Sequence, residues 1–183
     1  MRPTTLRHIL LTAILSVLIL AVPRALADGS NREYQLKAAF IYNFAQFVEW
    51  SDQAFSDPKA PIVITVLGEN PFDNALEQVT HGKAIRGREI VIRYARSPRD
   101  IGPSHIVFIS ASESSRATQV LSALPAQVLT IADKEDFTAM GGVIRFFSED
   151  NKLRFEINTT AAGRSGLKIS AKLLQLARVY KEN

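Results

Sequence analysis

Between Glu33 and Trp50 the apolar residues Leu36, Phe40, Ile41, Phe44, Phe47 and Val48 recur with helical spacing. The pattern predicts a helix with a wide apolar face, preceded by a polar lead-in at Asp28–Arg32. After a loop at Ser51–Pro61 the pattern changes to an unbroken β-branched run, Ile62-Val63-Ile64-Thr65-Val66-Leu67, which predicts a buried, parallel strand. Asn70 and Pro71 suit the N-cap and first position of a helix running to Val79. Gly82–Gly87 is a turn, and Glu89–Ala95 and His105–Ser110 are further strands. Ser114–Leu124 is a helix that buries Ala117, Val120, Leu121 and Leu124. Gln127–Ala132 is a strand, and Asp136–Met140 allows one helical turn.

The last third of the chain reads differently. Val143–Phe147 and Leu153–Ile157 flank Glu149-Asp150-Asn151-Lys152 and predict a hairpin. In its second strand Leu153, Phe155 and Ile157 alternate with Arg154 and Glu156, the mark of an edge strand with one wet face. Asn158 caps a short helix broken by Gly163 and Gly166, and Ser170 caps a last helix reaching Tyr180. Strands separated by helices, then a hairpin, make an α/β fold. The expected architecture is a single-domain sandwich with a mostly parallel central sheet, an antiparallel C-terminal hairpin and helices on both faces.

The first residues change how the charge is read. Arg2 and Arg7 precede an apolar run from Ile9 to Val22, and Ala25-Leu26-Ala27 follows as a small-x-small site. The run is about 14 residues, short of the roughly 20 a membrane-spanning helix needs. Residues 1–27 are therefore expected to be a cleaved signal peptide, leaving residues 28–183 as one periplasmic domain. Of the 22 basic residues, Arg2, Arg7 and Arg24 fall in the leader with no acid beside them, so the remainder is nearly neutral against 18 acidic residues. A near-neutral domain argues against nucleic acid. The chain has no cysteine, which excludes disulfides, zinc–thiolate sites and a thiol nucleophile.

Reactive chemistry is sparse. His81 lies in a Thr-His-Gly loop and His105 begins an apolar strand, neither with a second ligand at metal spacing. No Gly-x-Ser-x-Gly elbow is present. Leu67-Gly68-Glu69-Asn70-Pro71 stands where α/β folds hold phosphates, but it has one glycine, and Glu69 would repel an anion. The arginines at 86, 88, 93, 96 and 99 suit a solvated strand or an acidic partner. Asn158-Thr159-Thr160 matches a glycosylation sequon, although a helix cap explains it better. Trp50, the only tryptophan, serves equally as a hydrophobic plug or a binding anchor. No metal, cofactor or catalytic residue is expected.

One family carries these segments in this order. Tyr34–Trp50 (YQLKAAFIYNFAQFVEW), Val63–Phe72 (VITVLGENPF), His105–Ser112 (HIVFISAS), Gly141-Gly142, Phe155-Glu156-Ile157-Asn158 and Gly166-Leu167-Lys168-Ile169-Ser170, with the helix Leu173–Arg178, resemble the YfiR family of bacterial periplasmic proteins. The resemblance implies a non-catalytic regulator that binds the periplasmic sensor domain of an inner-membrane signalling protein, a diguanylate cyclase or a sensor kinase, and represses it. An outer-membrane lipoprotein would sequester such a repressor, and cyclic-di-GMP output and biofilm formation would follow. It also implies a homodimer, which here could hold no disulfide. The candidate partner- or ligand-binding residues are Glu49, Trp50, Arg154, Glu156, Lys168 and Ser170. The alternative is a periplasmic small-ligand sensor with Trp50 and Lys168 lining a cleft. A hydrolase using His105 is the third reading.

Overall fold

The computed structural model describes residues 22–181. Residues 1–21, and with them most of the expected leader, lie outside the described residues. Helix α1 (Val22–Phe47) leads into a two-residue strand, β1 (Val48–Glu49). Then follow β2 (Ile62–Leu67), α2 (Ala75–Thr80), β3 (Ala84–Ile85), β4 (Arg88–Ala95), β5 (Ile106–Ile109), α3 (Ala117–Ala123) and β6 (Leu129–Ala132). The chain ends with β7 (Ile144–Glu149), β8 (Lys152–Asn158), α4 (Thr159–Arg164), β9 (Lys168–Ile169), α5 (Ala171–Leu174) and β10 (Arg178–Tyr180).

The expected α/β sandwich is present. Eight strands form one sheet in the order β10-β8-β7-β6-β5-β2-β4-β3, and β1 and β9 form a separate antiparallel pair. Strands β4, β2, β5, β6 and β7 run parallel, whereas β3 and β8 are antiparallel to their neighbours β4 and β7. Strand β2 lies at the middle with all six residues buried, which is why its sequence shows no polar alternation. From β2 the chain crosses by α2 to β4 on one side, then returns past β2 to β5 and crosses by α3 to β6 on the other. Right-handed crossovers in opposite directions put α2 and α3 on opposite faces. Ile64, Ile106 and Phe108 accordingly pack with α1 and α2, while Leu67, Val107 and Ile109 pack with Val120 of α3.

Helix α1 covers the first face. Its Phe44 stacks on Phe146 (5.7 Å) and meets the edge of Phe155 (4.9 Å), and Phe40 contacts the same two rings at 6.1 and 5.5 Å. The helix begins earlier than its polar lead-in suggested, and it ends at Phe47 rather than Trp50. The end is set from outside: the Phe47 carbonyl accepts the Ser170 N–H at 3.0 Å, and Val48-Glu49 pair with β9. Helix α2 also starts later than expected. The Asn70 side chain accepts the Phe72 N–H at 2.9 Å and closes a local turn instead of capping a helix.

The hairpin is as expected, with Asp150 and Asn151 at φ 51° and 56° forming a two-residue turn of primed type. Two expectations for the C-terminal region are corrected. Strand β8 is not an edge, because β10 pairs with it in parallel from Glu156 to Asn158. Its Glu156 is buried rather than wet: Oε1 accepts the Thr138 hydroxyl at 2.6 Å and faces the Arg145 guanidinium at 3.3 Å. The last helix is one turn, not a run to Tyr180. Backbone groups of β8 recruit Arg178–Tyr180 as a strand, and Arg178 packs on Phe147 and pairs with Glu149. Such recruitment is non-local and leaves no helical period to read.

Replacing Phe44 by alanine would open a hole where the helix, the hairpin and the sheet meet. A loss of about 3–5 kcal/mol is expected, seen as a lower urea midpoint at unchanged m. An unchanged midpoint would show that α1 is not anchored there.

Candidate functional site

Strands β1 and β9 bring together residues from opposite ends of the chain. In their register Val48 faces Ile169 and Glu49 faces Lys168, so the two charged side chains stand on one exposed face. Arg86 joins them from the β3–β4 turn, 3.5 Å from Glu49, with both side chains more than half exposed. Ser170 is half-buried, and its hydroxyl accepts the Leu173 N–H at 3.3 Å, so it caps α5.

Trp50 begins the underside of this corner. Its indole N–H donates to the Gln127 carbonyl at 2.9 Å, and the Gln127 side chain returns to Ser51 through two hydrogen bonds at 3.0 and 3.3 Å. The ring meets His105 edge-on at 6.0 Å. His105 in turn stacks on Phe55 (4.5 Å), whose other neighbour is the Arg88 guanidinium at 3.6 Å. Arg88 is held by the Ala60 carbonyl at 2.7 Å and the Asp57 carbonyl at 3.2 Å. A cavity of about 230 Å³ lies between this stack and the β3–β4 hairpin, lined by Val48, Trp50, Phe55, Ile85, Arg86 and Arg88 among others.

Both nitrogens of His105 are committed. Nδ1 accepts the Val63 N–H at 3.1 Å, which leaves the proton on Nε2, facing the Ala54 carbonyl at 3.1 Å. A ring so held has no lone pair free to act as a general base, and the hydrolase reading loses its residue. Burial, opposed by the Ala54 contact and aided by the Arg88 charge, lowers the pKa of His105.

Four of the six sequence candidates are thus neighbours: Glu49, Trp50, Lys168 and Ser170. Arg154 is exposed on the hairpin, opposite Phe147, and Glu156 is buried in its pair with Arg145. Sequence reasoning missed Gln127, and it named Arg86 only within the basic run from 86 to 99, not as a neighbour of Glu49. Both adopt positive φ, at 67° and 52°, a conformation that neither Gln nor Arg signals in a sequence.

A model of the YfiR/HmsC-like family matches residues 34–178. The chain belongs to that family. The match runs from Tyr34 on α1 to Arg178 in β10 and includes all six candidates. A solved structure of a conserved domain protein from Vibrio cholerae O1 biovar El Tor superposes with a TM-score of 0.52 at 13% identity. The alignment covers 81% of this chain and 60% of the Vibrio protein, so the likeness is one of fold. No curated protein matches. In this YfiR/HmsC-like chain, no helix among the described residues is long and apolar enough to cross a membrane. Among the same residues no group of three His, Asp or Glu side chains is placed to hold a metal ion.

The His105 stack gives stability a defined pH dependence. Its folded pKa is lowered, so as pH falls below about 6.5 the unfolded chain takes up a proton first. Stability should be fully present above that value and decline toward the folded pKa. The urea midpoint is expected to drop between neutral and mildly acidic pH. His105→Asn, which keeps an acceptor for Val63, should start lower but show a flatter slope. An equal slope in the variant would assign the effect elsewhere.

Proposed function

We propose that this chain is a non-enzymatic regulator, exported to the periplasm, that binds the periplasmic sensor domain of an inner-membrane diguanylate cyclase and represses it. Membership of the YfiR/HmsC-like family supports a role in diguanylate cyclase signalling. The observation that carries the binding face is the corner where Glu49, Lys168 and Arg86 meet. Exposed pairs of this kind contribute little to folding, so their charges are available to a partner, where rim charges steer encounter and fix register. Arg154 offers a second exposed charge on the hairpin. Glu156 is committed to the interior and is left out of the partner face.

Repression requires only that the chain bind one state of the sensor better than the other. Sequestration by an outer-membrane lipoprotein would then relieve repression by mass action. In a chain without cysteine, a homodimer would rest on non-covalent contacts alone.

The cavity beside Trp50 favours a second reading, a small-ligand sensor. Lys168 does not line that cavity, so the cleft would be formed by Trp50 with Arg86 and Arg88. A saturable change in Trp50 fluorescence on adding metabolites would support it. A flat titration would count against it.

Charge reversal tests the regulatory reading. Glu49→Lys and Lys168→Glu are each expected to weaken capture of the sensor domain about tenfold, or about 1.4 kcal/mol, and to raise cellular cyclic-di-GMP without lowering the melting temperature. Arg154→Glu, measured separately, reports whether the hairpin belongs to the same face. Capture and cyclic-di-GMP unchanged in all three variants would remove this surface from the mechanism. Mass spectrometry of the periplasmic fraction tests export: the mature chain is expected to begin at Asp28, and recovery of an intact Met1 terminus would overturn that.

A further inference from the structure

We propose that the crevice at the C-terminal ends of β2, β4 and β5 is a binding site for an uncharged sugar. The topology marks the place. The chain leaves β2 for β4 on one side and reaches β5 on the other, and open α/β sheets bind ligands at that reversal, beyond the carboxyl ends of the strands. The charged corner at β1 and β9 packs near His105 and Gln127, which lead into β5 and β6, so it lies at the opposite end of the same strands.

The crevice has a volume of about 510 Å³, within the range of small-molecule sites. Its floor requires glycine. Gly68 has φ +94°, and a Cβ there would come within 2.4 Å of the Ser112 hydroxyl and 2.8 Å of the Glu113 side chain. Several lining groups are already satisfied. The Ser112 hydroxyl accepts the Glu69 N–H at 2.9 Å and meets the Ser110 hydroxyl at 2.9 Å. The Asn70 amide is spent on Phe72 and Asp73.

What remains open is specific in type. Glu113 also lines the crevice and is 4% exposed; one carboxylate oxygen binds Arg116 at 2.8 Å, and the other is buried without a partner. An acceptor left in that state costs free energy unless something donates to it. Glu69 adds an exposed acceptor and Arg96 an exposed donor. Tyr94, 47% exposed, is pinned through its hydroxyl to Glu77 and presents its ring to the same space.

These groups select against charge. Glu113 is paired with Arg116, and Glu69 and Arg96 add one exposed charge of each sign, so neither sign of ion meets a site of purely opposite charge. A phosphate would meet two carboxylates, and an ammonium would meet a guanidinium. Hydroxyl groups both donate and accept, and can therefore satisfy Glu113, Glu69 and Arg96 together. The apolar face of a pyranose or furanose suits the Tyr94 ring.

Calorimetry with the purified protein and D-glucose, D-galactose, D-ribose and maltose tests this site, with adenosine monophosphate and putrescine as charged competitors. At least one sugar is expected to bind saturably with Kd between about 1 µM and 1 mM. Tyr94→Ala and Arg96→Ala, both at exposed positions, should weaken it at least about tenfold while the melting temperature stays unchanged. Glu113→Gln should do the same if it folds. No saturable heat with any of the sugars overturns the proposal, as does binding that Tyr94→Ala and Arg96→Ala leave intact. Tighter binding of either charged compound overturns the sugar assignment. Repression of a cyclase plays no part in this measurement, so either reading can fail alone.

Discussion

The rest of the structure depends on the docking of α1 against the face made by the central strands and the C-terminal hairpin. Phe40 and Phe44 pack against Phe146 and Phe155, joining the first helix to two strands met near the end of the chain. Aromatic pairs of this geometry contribute about 0.5–1.5 kcal/mol each beyond the area they bury. Once the helix is seated, its C-terminal end delivers Val48 and Glu49 to Lys168-Ile169, and Trp50 to Gln127. The charged corner is thus a consequence of the helix position rather than an independent motif.

The same docking forces a cation into the interior. Lys37 is 3% exposed on α1, with Glu33 at 2.6 Å, Asp133 at 3.0 Å and the Tyr34 ring beneath it at 4.2 Å. Tyr34 donates its hydroxyl to Asp133 at 2.9 Å, and burial followed by that carboxylate raises the phenol above its ordinary pKa. Asp133 sits just past β6, so this cluster fixes the angle of α1 across the sheet. Buried pairs of this type add little net stability, but removing one partner leaves a charge stranded. Glu156 reads as a solvated residue in the sequence, and Lys37 is a second charged residue drawn inside. Both are buried because a neighbour supplies the opposite charge.

The sheet separates two kinds of surface. At the beginning of β2, β5 and β6 lie the His105–Phe55–Arg88 stack, Trp50 and the Glu49–Lys168 corner. At the ends of β2, β4 and β5 lie Gly68, Tyr94 and Glu113. A parallel sheet has this polarity because every strand enters at one edge and leaves at the other. The proposed partner face and the proposed ligand crevice therefore share no residues.

Periodicity and local chemistry determined much of this protein. The β-branched run Ile62–Leu67, the apolar face of α1, the Asp150-Asn151 turn and the caps at Asn158 and Ser170 were all legible, because each rests on neighbours within a few residues. Glu49, Trp50, Lys168 and Ser170 were named from two segments that the sequence itself could not show to be adjacent. The tertiary structure decided that they meet, that Glu156 is buried, and that Arg178–Tyr180 forms a strand where a helix was expected. It also decided that Glu113 buries one oxygen without a hydrogen-bond partner at the sheet's end. The physical reason is common to all of these. Burial, charge pairing and strand recruitment depend on partners distant in sequence, and no local pattern records which partner arrives.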